Sequence, residues 1–333
     1  MINRIKPIIA NSVITHQLKL FAFRQRSQAM LGELSKVPIV KSGVETISGK
    51  TIPFVVLNDD IILFGMYPTE FEKRVFHKWM DRINPNINEE AVRLAMDVIL
   101  RYQYPHAMPH LTMPYSRRQR TCFHPQHIET ISDLPNLTMD QKRSLLEVFM
   151  PKRGESFLDA GAYIGFGVVR MARELGAQSK VIAVESDPEA SFLLDINVKA
   201  NNLSNVVIVS KSISDQDGFA SFHKTERQAN SLIAGMVDAE STIRVPSTTI
   251  DTLMKELGVD SLDRASITIN GAELEAVNGM KTTLERSQRL KISIAGWYKR
   301  NGRRICDTLS LILQGYGYNV ATGQKGALFA WKS

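Results

Sequence analysis

The chain has 333 residues, 44% of them apolar and 23% charged, which suits two ordinary domains with sizeable cores and excludes a disordered or collagen-like chain. No apolar run approaches the ~18 residues of a membrane span, and the N-terminus lacks the pattern of a secretory signal, so a cytoplasmic protein is expected. The two cysteines, Cys122 and Cys306, imply no disulfide framework.

The net charge of +7 is concentrated at the start of the chain. Residues 1–41 carry Arg4, Lys6, Lys19, Arg24, Arg26, Lys36 and Lys41 against the single acid Glu33, so the remainder is nearly neutral. A basic arm on a neutral body does not call for a nucleic-acid partner. Ile5, Ile9, Val13, Ile14, Leu18 and Phe21 fall mostly at helical spacing, and the arm reads as an amphipathic helix. Such a helix packs on the protein with its basic face in water, makes peripheral contact with an anionic membrane, or is an organellar transit peptide.

Next, VETISG, KTIPFVVL and DDIILFG read as short strands, with turns at Ser48-Gly49-Lys50 and Asn58-Asp59-Asp60. Helical periodicity follows over 69–82 and 89–102. Residues 103–137 lose periodicity and are rich in Pro, His and Arg, an irregular connector. Thr138 with Gln141 three residues on is a capping-box signal, and the helix it starts stops at Pro151 to Gly154. Residues 42–150 are therefore expected to form an α+β region, and 151–333 a separate domain.

From Ser156 onward, apolar strands alternate with helical stretches. SFLDA precedes a helix over 165–175 and KVIAVE one over 188–201. NVVIVSKS precedes a polar insert, ASITIN a helix over 271–284, and LKISIAG a helix over 302–313. This alternation predicts a mostly parallel sheet covered on both faces. Tyr318–Ala321 and Ala327–Trp331 flank a turn and read as a closing hairpin, which makes the last strand antiparallel.

In such a sheet, ligands sit outside the carboxyl ends of the strands. The first strand runs into Asp159-Ala160-Gly161-Ala162-Tyr163-Ile164-Gly165, a loop with two glycines and not the G-x-G-x-x-G of dinucleotide folds. Gly161 is expected to let the backbone pass close to a ligand, and Gly165 to let the next helix pack on the strand. Glu185 ends the second strand, 26 residues after Asp159, placed to accept the hydroxyls of a ribose.

The stretches FLDAGAYIG, VIAVESDPEASFLLDINVKANN, VVIVSKSISDQDG, TTIDTL and NGAELEAVNGM together resemble the FkbM family of methyltransferases in order and spacing, over roughly 154–333. The resemblance implies a Rossmann-like class I methyltransferase fold, a seven-stranded mostly parallel sheet with an antiparallel last strand. It implies S-adenosylmethionine as cofactor and a hydroxyl of a saccharide, glycan or secondary metabolite as methyl acceptor. It also implies cofactor contacts at Asp159, Gly161, Ala162, Tyr163, Gly165, Glu185 and Ser186, with adenine contacts near Ser212, Ile213 and Asp215.

The chain departs from the family pattern at several points. Tyr163 replaces the usual Asn. After the fourth strand, Ser266, Thr268 and Asn270 stand where Lys, Asp and Glu are usual. Asn270 can orient an acceptor hydroxyl, but only Glu273 remains as an acid, either the general base or a helix-start acid. Trp297 and Tyr298 after the fifth strand either stack on a ring substrate or cover the core. In the connector, His106, His110, Cys122, His124 and His127 have spacings compatible with zinc, but ordinary loop histidines and no metal are expected. Arg117, Arg118 and Arg120 beside Tyr115 read as a solvated loop. Three classes remain: an active O-methyltransferase, a cofactor-binding relative without turnover, and a nicotinamide-dependent oxidoreductase, which the missing third glycine disfavours.

Overall fold

The computed structural model describes residues 39–68, 87, 89–91, 94, 131, 134–224, 231–233 and 241–332. The basic-arm helix, the helix expected over 69–82, most of that over 89–102, and the connector's histidine, cysteine and arginine clusters lie outside the described residues. The described residues fall into two compact units, one holding 39–60, 66–68, 87, 89–91 and 94, the other 61–65, 131 and everything from 134 on.

In the first unit, β1 (Ile39–Ile47) and β2 (Lys50–Leu57) form an antiparallel hairpin. Ser48 and Gly49 turn it at φ 52° and 75°, the left-handed pair that a two-residue hairpin loop requires.

The second unit contains β3 (Ile62–Phe64) and α1 (Met139–Phe149). Thr138 and Gln141 cap α1 reciprocally, at 3.2 and 2.8 Å. Then come β4 (Phe157–Ala160), α2 (Phe166–Leu175), β5 (Val181–Val184), α3 (Pro188–Ala200) and β6 (Val206–Val209). After β7 (Ser212–Ile213), β8 (Gly218–Lys224) and β9 (Ser241–Thr248) the chain continues through α4 (Ile250–Glu256), β10 (Arg264–Ile267), α5 (Glu273–Asn278), α6 (Lys281–Arg286) and β11 (Lys291–Ala295). It closes with β12 (Lys299–Arg300), β13 (Arg303–Arg304), α7 (Ile305–Gly315), β14 (Asn319–Thr322) and β15 (Ala327–Trp331).

The main sheet has the order β14-β15-β11-β10-β4-β5-β6. β6, β5, β4, β10 and β11 are mutually parallel, and β15 runs antiparallel to both β11 and β14. This is the seven-stranded Rossmann-like order, antiparallel last strand included, that the sequence resemblance implies. β4, β5 and β10 are buried throughout, and β5 is a continuous apolar run, while β4 buries Asp159 and β10 buries Arg264 and Ser266. Strand order reverses between β4 and β10, so the crevice at their carboxyl ends is the expected ligand position.

Three local expectations are corrected. The strand expected over NVVIVSKS ends at Val209, and Ser212 opens β7, which forms a small sheet with β9 and β8 within the polar insert. The helix expected over 271–284 is two helices, α5 and α6, parted at Gly279, whose added Cβ would stand 2.3 Å from the Ser214 carbonyl oxygen. The helix expected from Gly302 starts at Ile305, because Lys299–Arg304 form a hairpin turned by Asn301 and Gly302 at φ 50° and 77°.

At the opposite end of the sheet, a buried cluster ties β4, β10 and β11 together. The Glu155 carboxylate accepts from Arg264 Nε at 2.6 Å and from Lys291 Nζ. Burial alone would raise the Glu155 carboxyl, but the Lys291 hydrogen bond and the Arg264 charge outweigh it and hold it below the usual value. No helix among the described residues is long and apolar enough to cross a membrane.

Candidate functional site at the carboxyl ends of the central strands

The loop after β4 is held from several sides. The N–H groups of Gly161 and Ala162 both donate to the Val184 carbonyl, at 2.9 and 3.0 Å. Gly161 lies at φ 89°, and a Cβ there would stand 2.0 Å from the Thr268 carbonyl oxygen. The approach of the chain leaving β10 by itself demands glycine at this position. Gly165, at φ 85°, caps α2, and its Cβ would meet Leu194 Cδ1 at 2.3 Å. It makes room for α3. Between them, Tyr163 takes a left-handed φ of 52° without being glycine, a conformation that needs outside support.

Glu185 supplies part of that support. Its Oε2 accepts from the Tyr163 N–H at 2.7 Å and its Oε1 from the Asp187 N–H at 2.8 Å. The residue is 8% exposed, and burial pushes its carboxyl up, opposed by the N–H donors of Asp187 and Tyr163. Each oxygen has a second lone pair, so the carboxylate can still accept from a ligand hydroxyl. Asp159, at the end of β4, is similarly buried, Ala162 packs into the core, and Ser186 is half-buried. In the third stretch the Ser212 hydroxyl donates to the Pro246 carbonyl at 3.1 Å and Ile213 belongs to the core. Asp215 is exposed.

Across the crevice, the chain turns sharply after β10. Asn270 lies at φ 53° and Gly271 at φ 106°. Glu273 closes this turn: Oε1 accepts from the Ile269 N–H at 3.1 Å and Oε2 from the Gly271 N–H at 2.9 Å. Its side chain is wholly buried, 0% exposed, and burial pushes its pKa up to about 7. A second clamp, missed in the sequence, is Arg300, which pairs with both oxygens of Glu275 and donates to the Gly271 carbonyl at 3.0 Å. Ser231 adds a third, donating to the Asn270 carbonyl at 2.7 Å.

The Asn270 side chain meets Tyr298, whose hydroxyl donates to Oδ1 at 3.4 Å. Trp297 and Tyr298 lie 6.1 Å apart between ring centroids. Burial pushes the Tyr298 phenol up, against the nearby Trp297 indole N–H. Trp297 Nε1 and Arg300 Nε are buried without a well-aligned hydrogen-bond partner. The sequence-derived residues thus divide into two groups. Asp159, Gly161, Tyr163, Gly165 and Glu185 frame the β4–β5 side, and Asn270, Glu273, Trp297 and Tyr298 the β10–β11 side.

Residues 159–320 match the sequence profile of the Methyltransferase FkbM domain. This half of the chain is an FkbM methyltransferase domain. Similar solved structures include a SAM-dependent methyltransferase from Aquifex aeolicus, 18% identical, with TM-score 0.33 over 57% of this chain and 87% of that one. Another is the precorrin-6y C5,15-methyltransferase from Geobacter metallireducens, 15% identical, with TM-score 0.35 over 60% and 92%. An rRNA methylase from Streptococcus thermophilus is 10% identical, with TM-score 0.32 over 59% and 95%. No curated protein matches the chain significantly.

The cofactor of the FkbM domain is S-adenosylmethionine. The side chains of the β4–β5 crevice fit it chemically. Asp159 and Glu185 are acceptors when ionised, and the cofactor's ribose hydroxyls and ammonium group are donors. The two-glycine loop lacks the third glycine of a pyrophosphate cradle, which a cofactor without phosphate does not need.

Proposed function

We propose that the FkbM domain methylates a hydroxyl oxygen of a saccharide, glycan or secondary metabolite, with the cofactor held by Asp159, the loop 161–165 and the Glu185–Ser186 strand end. Ser212, Ile213 and Asp215 border the adenine, the first two through their backbone. Bound S-adenosylmethionine supplies an electrophilic methyl group. The chain's own residues supply position. The observation that carries the acceptor reading is the meeting of Asn270 and Tyr298 beside Trp297. An amide and a phenol both donate and accept, as a hydroxyl acceptor requires, and two aromatic rings suit the apolar face of a sugar.

Glu273 serves this site by holding the turn that presents Asn270. A pKa near 7 would suit a general base, but a base must first reach the proton it removes. Glu273 is wholly buried behind the turn it holds, its oxygens facing the N–H groups of Ile269 and Gly271, and this burial keeps it out of reach of an acceptor proton. The acceptor proton therefore leaves to solvent, and catalysis rests on orientation. The same burial favours a second reading, a domain that binds the cofactor without turnover. Methyl-donor turnover against a panel of neutral saccharides and hydroxylated metabolites separates the two. Turnover reduced in Asn270→Ala supports the first reading, and tight cofactor binding with no turnover on any acceptor supports the second.

A further inference from the structure

Asn197 of α3 and Asn201, the residue that caps its C-terminus, treat the strand β3 as a sheet neighbour would. Asn197 Oδ1 accepts from the Phe64 N–H at 2.7 Å, and its Nδ2 donates to the Phe64 carbonyl at 2.9 Å. One turn later, Asn201 Oδ1 accepts from the Ile62 N–H at 3.2 Å, and its Nδ2 donates to the Ile62 carbonyl at 2.7 Å. The spacing explains the match. Four helical residues rise about 6 Å, and alternate residues of a strand are separated by nearly the same distance, about 6.5 Å. Two amides at i and i+4 can therefore pair with residues i and i+2 of an extended chain.

Asn197 does one thing more. Its second Nδ2 hydrogen donates to the Ile164 carbonyl at 2.8 Å, inside the loop that follows β4. The residue is 0% exposed, so both donors are fully committed to these carbonyls. Ile164 sits between two left-handed residues, Tyr163 and Gly165. Glu185 fixes the N–H on one side, and Leu194 of α3 lies against Gly165 on the other. The Ile164 peptide itself is fixed by Asn197, whose amide is in turn oriented by Phe64. Asn201 also braces it, donating to the Asn197 carbonyl at 2.8 Å, but makes no bond to the loop.

We propose that β3 is a working part of the cofactor site, with Asn197 the positioning residue through which it sets the conformation of the 163–165 loop. β3 lies far ahead of residues 159–320, so the FkbM domain is completed by a strand that its family-matched span does not contain. The inference rests on the proposal that this loop binds S-adenosylmethionine.

The test uses the full chain and S-adenosylhomocysteine as the titrant. Asn197→Leu and Asn201→Leu each remove one of the two pairings with β3, but only the first removes the bond to Ile164. Both variants should lower the urea midpoint. Measured on the folded protein, the Kd should rise tenfold or more in Asn197→Leu and less than threefold in Asn201→Leu. Equal Kd changes in the two, or none in Asn197→Leu, would overturn the proposal. Hydrogen exchange on the wild type provides a second readout that needs no variant. S-adenosylhomocysteine should slow exchange of the Phe64 N–H together with that of Tyr163, since coupling between two sites is reciprocal. Slowing at Tyr163 alone would also overturn it. If Glu185→Ala leaves the affinity of the wild type intact, the cofactor assignment itself fails, a result distinct from either of these.

Discussion

Replacing Glu273 by glutamine separates a residue that holds a turn from one that moves a proton. The wild-type carboxyl titrates at 4.5 when unfolded and near 7 when buried in the fold. Between these values the native state binds more protons than the unfolded state, so this group's contribution to stability falls as pH rises. Integrated from pH 5 to pH 8, the loss is on the order of 2–3 kcal/mol. Glutamine cannot titrate, so it removes this slope. Its amide N–H₂ faces one of the two N–H groups, of Ile269 or Gly271, where the neutral carboxyl of pH 5 still offers a hydroxyl lone pair, and leaving that donor unsatisfied costs about 1–3 kcal/mol. Glu273→Gln should therefore be clearly destabilising at pH 5 and close to neutral at pH 8. Urea unfolding at both pH values reads the difference directly, and the same destabilisation at both would refute a buried, titrating carboxyl. Rate supplies the second arm. A general base contributes a factor of about 10²–10⁴, so a hundredfold fall in kcat with unchanged cofactor affinity would contradict the turn-holding role.

Gly161→Ala places a Cβ 2.0 Å from the Thr268 carbonyl oxygen at a left-handed φ. It should cost at least the ~1–3 kcal/mol of an overpacked site and weaken S-adenosylhomocysteine binding; wild-type unfolding would show that β4 and β10 are not so closely apposed. Glu155→Gln breaks a buried pair with Arg264 and should cost about 3–5 kcal/mol, with cofactor affinity unchanged because the cluster lies at the far end of the sheet. Since the Glu155 pKa is lowered from 4.5, its contribution is present above that value and is lost as pH falls through the folded value, so acid unfolding should be less steep in the variant. Tyr298→Phe removes one hydrogen bond to Asn270, worth about 0.5–1.5 kcal/mol, and should lower kcat/KM by roughly two- to tenfold without altering cofactor Kd; a matching loss of cofactor affinity would move Tyr298 out of the acceptor side.

Much of this architecture is legible in the sequence because its central strands are buried on both faces. VIAV is wholly apolar, FLDA is broken only by Asp159, and RASI, which carries Arg264 and Ser266, reads as a strand through the apolar residues that alternate with them, while the capping box at Thr138 marks its helix by local chemistry alone. The acid at the end of β5 was legible for the same reason, since a strand of known start fixes where it must end. What escaped depends on partners distant in sequence. The need for glycine at 161 comes from Thr268, and at 279 from Ser214. The pattern of Asn197 and Asn201 is visible as an i, i+4 pair, but its use requires β3, which lies over a hundred residues earlier. The hairpin at Lys299–Arg304 escapes a sequence reading, which carries its second half, Gly302–Arg304, into the following helix, because two-residue strands leave too short an alternation to read. Glu273 stood open between two roles until its burial and both its hydrogen bonds were known.

Titration of the full chain with S-adenosylhomocysteine, in parallel with NAD, for the wild type and Glu185→Ala, tests the central claim most directly. The account predicts saturable one-site binding of S-adenosylhomocysteine to the wild type and none of NAD. In Glu185→Ala the affinity should fall by about 1.5–3 kcal/mol, the loss of a charged acceptor, or roughly ten- to a hundredfold in Kd. Binding of NAD, or an S-adenosylhomocysteine affinity indifferent to Glu185, would contradict it.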